Sequence, residues 1–137
     1  MVISSCDKNV SYNKEYCNEI KVAMLDMLVK QIHNDSLCIA KMRERNEFLA
    51  SIDYTIQNKN DVAKLYPMEE EINKLSKVKL DNSLFENYRM ELLKEYYPLK
   101  DDKELNNFID TYHKYEKQMV EMKDESIMVC KKVKVEL

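Results

Sequence analysis

The chain has no glycine and no tryptophan, and only two prolines and two histidines among its 137 residues. Average usage near 7% would place roughly ten glycines in a chain this long. Glycine-rich phosphate loops, dinucleotide fingerprints and the nucleophile elbow all need backbone positions that only glycine tolerates, so none is present in standard form. Tight primed hairpins are disfavoured for the same reason. What remains favoured is a set of helices joined by Asn, Asp and Pro turns.

Long apolar runs are also missing. Nothing approaches the roughly 18 residues of a membrane span. The N-terminus "MVISSCDKNVSYNKEY" lacks the basic start and apolar block of a signal peptide, so a soluble, non-secreted chain is expected. Lys and Arg number 22 against 25 Asp and Glu, a net charge of −3, which provides no basic field to hold a phosphate backbone. Direct nucleic-acid binding, a membrane and a small-molecule substrate are therefore not expected as partners.

Catalytic and metal spacing is equally scarce. Cys6, Cys17, Cys38 and Cys130 form no C-x-x-C pair and read as free thiols of a reducing compartment. His33 and His113 have no second histidine four residues away and no adjacent cysteine, so zinc is not supported and no cofactor is expected. Lys131 and Lys132 beside Cys130 would lower a thiol pKa, but no histidine lies near it in sequence. Glu69, Glu70 and Glu71 point in different directions on a helix, so they read as a dipole-matched helix start rather than as an acid and base pair. An enzyme is the least expected class.

Against these absences, 45% of the residues are apolar and 34% are charged, and the apolar ones recur at helical spacing. From about Tyr12, the residues Tyr16, Ile20, Met24, Met27 and Leu28 share one side. A heptad reading then places Leu25, Ile32, Ile39 and Asn46 at one core position, and Leu28, Asp35, Met42 and Leu49 at the other. Asp35 and Asn46 are the polar exceptions. "HNDS" around Asp35 either caps a second helix or marks a polar layer in one long helix, and continuity is the preferred reading. Beyond Leu49 the stripe moves to Ile52 and Ile56, and "NKND" ends it.

Pro67 followed by three glutamates predicts the first turn of a short helix running to about Val78. Asn82 or Ser83 is expected to cap the next, which carries Phe85, Tyr88 and Leu92 on one face and stops at Pro98. Asp101 with Glu104 resembles a capping box, and the final helix, about Asp102 to Lys123, aligns Leu105, Phe108, Tyr112, Tyr115 and Met119. In the tail "SIMVCKKVKVEL", Ile127, Val129, Val133, Val135 and Leu137 alternate with other residues, which predicts a strand.

The expected fold is all-α, an elongated antiparallel helical bundle or coiled coil with a short β-like C-terminal tail. Its expected divisions are a flexible N-terminus at 1–11, a helical docking domain at 12–123, and an acidic linker with a strand-like tail at 124–137. Phe85, Tyr88, Leu92, Leu105, Phe108, Tyr112, Tyr115 and Met119 are the candidate bundle core. A helix from Tyr12 to Ile56 would be about 65 Å long and the final helix about 33 Å, so half of the long stripe is expected to lack an internal partner. Leu25, Leu28, Ile32, Ile39, Met42, Leu49, Ile52 and Ile56 are therefore the candidate surface for a long helix or coiled coil of another protein. A self-associating structural coiled-coil subunit, of kinetochore or cytoskeletal type, is the alternative.

The run "LLKEYYPLKDDKELNNFIDTYHKYEKQM", followed by acidic residues and the hydrophobic "DESIMV", resembles the helical region of the non-SMC element two family, the SUMO ligase subunit of the SMC-five/six complex. The likeness covers roughly Ser83 to Val129. It implies helices that pack along the coiled-coil arm of the SMC-five protein, a nuclear location and a role in chromosome maintenance and DNA repair. It also implies a following zinc-binding RING domain that recruits the SUMO-charged conjugating enzyme. The chain stops at Leu137 before any such cysteine and histidine constellation, so no ligase chemistry is carried onto its residues and none is expected of it alone. In that setting, Val133-Lys134-Val135-Glu136 reads as a hydrophobic-Lys-x-Glu site, with Lys134 a possible SUMO acceptor on an extended strand. Ile127 to Val129 after Asp124 and Glu125 similarly imitates a SUMO-binding strand.

Overall fold

In the computed structural model, the described residues are 12–51 and 59–136, with side chains described for 12–51 and 63–126. Four α-helices account for nearly all of them: α1, Lys14–Ser51; α2, Lys59–Ser76; α3, Asn82–Lys94; and α4, Lys103–Glu136. A 3-10 turn, Leu99–Asp101, precedes α4, and no strand occurs among the described residues. The all-α class expected from the sequence is the one observed.

Three of the four helix starts have a side-chain cap. The Asn13 side chain accepts from the Tyr16 amide at 3.1 Å, the Asp81 side chain accepts from Leu84 at 3.0 Å, and Asp102 accepts from Leu105 at 3.0 Å. These caps satisfy amides that lack an intrahelical acceptor. The expected caps at Asn82 or Ser83 and at Asp101 are each displaced onto the aspartate actually used, Asp81 and Asp102. The end of α3 is a Schellman turn, with Tyr97 N–H donating to the Leu92 carbonyl at 3.0 Å and Tyr96 N–H to that of Leu93 at 3.0 Å. Glycine usually fills its left-handed position; here Tyr96 does so, at φ 63°.

Helix α1 runs unbroken through Asn34–Ser36, as preferred from the sequence. The Ser36 hydroxyl donates back to the His33 carbonyl at 2.7 Å, and the Asn34 amide donates to the Leu75 carbonyl at 2.8 Å, so neither side chain caps a new helix. Two other expectations are corrected. Pro67 lies inside α2 rather than at its first turn, because the helix already begins at Lys59. The tail is not a strand, because α4 continues past Lys123 to Glu136. An extending helix gains one hydrogen bond per added residue, whereas a lone strand has no ladder to join.

The chain divides into two compact units, Met1–Gln31 with Leu80–Thr111 and Ile32–Lys79 with Tyr112–Leu137. In the first, α1 and α3 are antiparallel: the Tyr16 hydroxyl donates to Glu91 at 3.0 Å, and the Tyr12 and Tyr97 rings lie 5.1 Å apart. Its buried apolar residues include Cys17, Met24 and Leu28 of α1, Leu92 of α3 and Leu105 of α4. In the second, α1 and α2 are antiparallel, tied by Asn34 to Leu75 and by Arg45 to Glu69. Cys38, Ile39, Met42, Ile72 and Met122 form its core, with Leu75, Tyr115 and Met119 packed against them. Each such apolar side chain removed from water contributes roughly 1.5–3 kcal/mol.

Candidate docking surfaces and polar sites

The expected outward seam is mostly spent inside the chain. Leu28, Ile39, Met42 and Leu49 are all buried, which leaves them no area to offer a partner. Leu25 and Ile32 are half-buried, while Ile52 and Ile56 lie outside the described residues. Of the candidate core, Leu92, Leu105 and Tyr112 are buried, and Phe85, Tyr88, Phe108, Tyr115 and Met119 are half-buried.

One heptad position is buried throughout, and the other is buried at Ile39 and Asn46 but only half-buried at Leu25 and Ile32. The buried positions on α1 are Leu28, Asp35, Met42 and Leu49, and from the other heptad position Ile39 and Asn46, as read, together with Ile20 and with a second set stepping by seven, Cys17, Met24, Gln31, Cys38 and Arg45. Gln31 and Arg45 are polar members of that second set, so an apolar scan favours the neighbouring Leu25 and Ile32 instead.

That shift leaves a second stripe on the flank of α1. Val22 is 55% exposed and Val29 46% exposed, and with half-buried Leu25 they sit three and four residues apart. Sequence reasoning missed both valines, although Val22, Leu25, Val29 and Ile32 show the spacing plainly. Glu15, Glu19 and Asp26 lie exposed along its outer edge, and Asp26 pairs with Lys30 at 2.9 Å.

In the first unit, polar groups converge on buried Asp102. Lys21 Nζ lies 3.0 Å from its Oδ2 and 3.1 Å from Glu104 Oε1, the Tyr97 hydroxyl donates to Oδ2, and the Leu105 amide donates to Oδ1. Burial alone would push the Asp102 carboxyl up, but the Leu105 amide, the Tyr97 hydroxyl and Lys21 outweigh it and the net shift is downward. Burial, reinforced by Asp102, pushes Tyr97 up to about 12.

In the second unit, Arg45 Nε donates to Asn46 Oδ1 at 3.1 Å, Arg45 Nη1 lies 3.3 Å from Glu69 Oε1, and the Asn46 amide donates to the Met122 carbonyl at 3.0 Å. Arg45 Nη2 is buried without a hydrogen-bond partner among the described residues.

Cys17 and Cys38 are buried free thiols, and burial raises both pKa values, which keeps them protonated at neutral pH. Cys130 has a described backbone only. His33 is exposed, and exposed His113 places Nδ1 3.1 Å from Glu116 Oε1. Among the described residues, no group of three or more His, Cys, Asp or Glu is assembled that could hold a metal ion, and no helix is long and apolar enough to cross a membrane. Val133 to Glu136 and Ile127 to Val129 are helical, which removes the extended presentation expected for Lys134 as an acceptor and for a SUMO-binding strand. Comparison with protein-family models, curated proteins and solved structures finds no match for the chain.

Proposed function

We propose that the protein is a helical docking module that lays the flank of α1 against a coiled coil. The resemblance of Ser83 to Val129 supplies the assembly: the arm of the SMC-five protein in a nuclear chromosome-maintenance complex, with the chain as the arm-binding half of a SUMO ligase subunit. The observation that carries the docking reading is the exposure of Val22 and Val29 around Leu25 on a 38-residue helix. A 3-4 spacing of apolar residues is what a coiled-coil partner packs against, knob into hole. Leu28, Ile39, Met42 and Leu49 of the same helix are buried and take no part in it.

The test is capture of the full chain by the SMC-five arm, with Val22→Asp and Val29→Asp introduced together. Binding should fall by about tenfold or more while helicity is retained, since 1.4 kcal/mol of lost packing already corresponds to a factor of ten. Undiminished binding by this variant sinks the reading. Sedimentation of the purified chain separates this reading from the rival: a stable homodimer at low micromolar concentration, abolished by the same pair, would make the stripe a self-association surface.

A further inference from the structure

The hydrophobic-Lys-x-acid pattern read at Lys134 recurs at three other lysines, and the fold treats the four differently. They are Val78-Lys79-Leu80-Asp81, Leu99-Lys100-Asp101-Asp102, Met122-Lys123-Asp124-Glu125 and Val133-Lys134-Val135-Glu136. An enzyme that reads consecutive side chains needs them along an open backbone, whereas a helix turns each one about 100° from the last. The last two patterns lie within α4, and Met122 is buried as well. At Lys100 the backbone is a 3-10 turn, and the acid of the pattern, Asp102, is buried against Lys21 and Tyr97.

Val78 to Asp81 differs on each count. Helix α2 ends at Ser76 and α3 begins at Asn82, so all four residues lie outside the helices. Val78 is 49% exposed, and Lys79 and Asp81 are exposed too, which puts the hydrophobic residue, the lysine and the acid in solvent together. Leu80, whose identity the pattern leaves open, is the one that is buried. Its burial and the Asp81 cap on the Leu84 amide anchor the segment beside the exposed lysine. Lys77, exposed on the same stretch, has serine before it and no acid two residues on.

We infer that Lys79 is an acceptor site for a small ubiquitin-like modifier of the SUMO class. The step is an acyl transfer: the uncharged Lys79 amine attacks the thioester carbonyl that joins the C-terminus of the modifier to the cysteine of its conjugating enzyme. The C–N isopeptide bond forms, the C–S bond breaks, the cysteine leaves as thiolate, and the proton shed by the amine passes to solvent.

The test is conjugation of the full chain by purified SUMO, its activating and conjugating enzymes and ATP, with the modified lysine mapped by mass spectrometry. Lys79 should carry the modifier in preference to Lys77, Lys100, Lys123 and Lys134. A Lys79→Arg chain, with its charge kept, should form singly modified product at least about tenfold more slowly. Asp81→Asn keeps a competent helix cap and should still slow the reaction about fivefold or more, which separates recognition of the acid from the folding of α3. No modification, equal modification of Lys77 and Lys79, an undiminished rate for Lys79→Arg or an unaltered rate for Asp81→Asn overturns the inference. The reaction uses no coiled-coil partner, so its failure and the failure of the flank docking are read separately.

Discussion

Asp102 is the residue whose chemistry reaches furthest. Its folded pKa is depressed, so its contribution to stability is present above the unfolded carboxyl value near 3.9 and is lost as the pH falls through the folded one. Asp102→Asn keeps a competent helix cap, because asparagine serves almost as well, and so isolates the charge. The variant should unfold at lower urea at pH 7, by about 1–3 kcal/mol, and the gap should narrow as the pH falls below the unfolded carboxyl value near 3.9. A gap unchanged between pH 7 and 3 would deny the charge its role. The opposite limb belongs to Tyr97 and Tyr112, both raised to about 12: the stability tied to their protonated forms is complete below about pH 10 and drains as the pH climbs toward 12. Tyr96 is a different case, strained rather than titrating. A non-glycine residue in the left-handed region costs roughly 1–2 kcal/mol, and its ring is 67% exposed. Tyr96→Gly should therefore raise the urea midpoint by an amount close to 1 kcal/mol, and a lower midpoint would show that the ring holds the fold. Nothing in the sequence marked this position, because Pro98 announced the end of α3 without indicating which residue would reverse the chain.

At the scale of elements, legibility followed the length and purity of the periodic signal. Helix α1 was readable as one helix because its spacing survives "HNDS", yet its phase was misread where Gln31 and Arg45 occupy buried positions. A buried polar side chain with a partner elsewhere in the fold looks, in sequence alone, like a surface residue. The tail was misread for the converse reason: β-branched Ile127, Val129, Val133 and Val135 alternate like a strand, but the preceding turns of α4 continue through them. Pro67 was read by its commonest helical position, the first turn, while the helix holds it in the interior. Proline there costs up to about 3 kcal/mol relative to alanine. Pro67→Ala should thus stabilise the chain by about 1–3 kcal/mol and slow amide exchange from Lys64 to Met68. Unchanged exchange in that window would mean that the interruption is already relieved by its surroundings.

For the molecule as a whole, the arrangement of shared and private helices sets the cooperativity. Helices α2 and α3 each belong to one unit, whereas α1 and α4 each contribute residues to both. Because propagating a helix is far easier than nucleating one, a break in either shared helix is expected to spread along it rather than stop where one unit gives way to the other. Truncating a private core residue therefore tests the coupling without touching the shared helices. Leu92→Ala on α3 and Ile72→Ala on α2 should each cost about 2–5 kcal/mol, the range for large-to-small changes at buried sites. In native-state hydrogen exchange, Leu92→Ala should lower the protection of amides around Tyr115 to Met119 by the same free energy as those around Leu92, and Ile72→Ala should do the reverse. If instead each substitution lowered only the amides of its own unit, the two units would be unfolding separately. The shared helices would then be tethers, and a partner docked on the flank of α1 would stabilise the unit that carries Val22 and Val29 while leaving the other untouched.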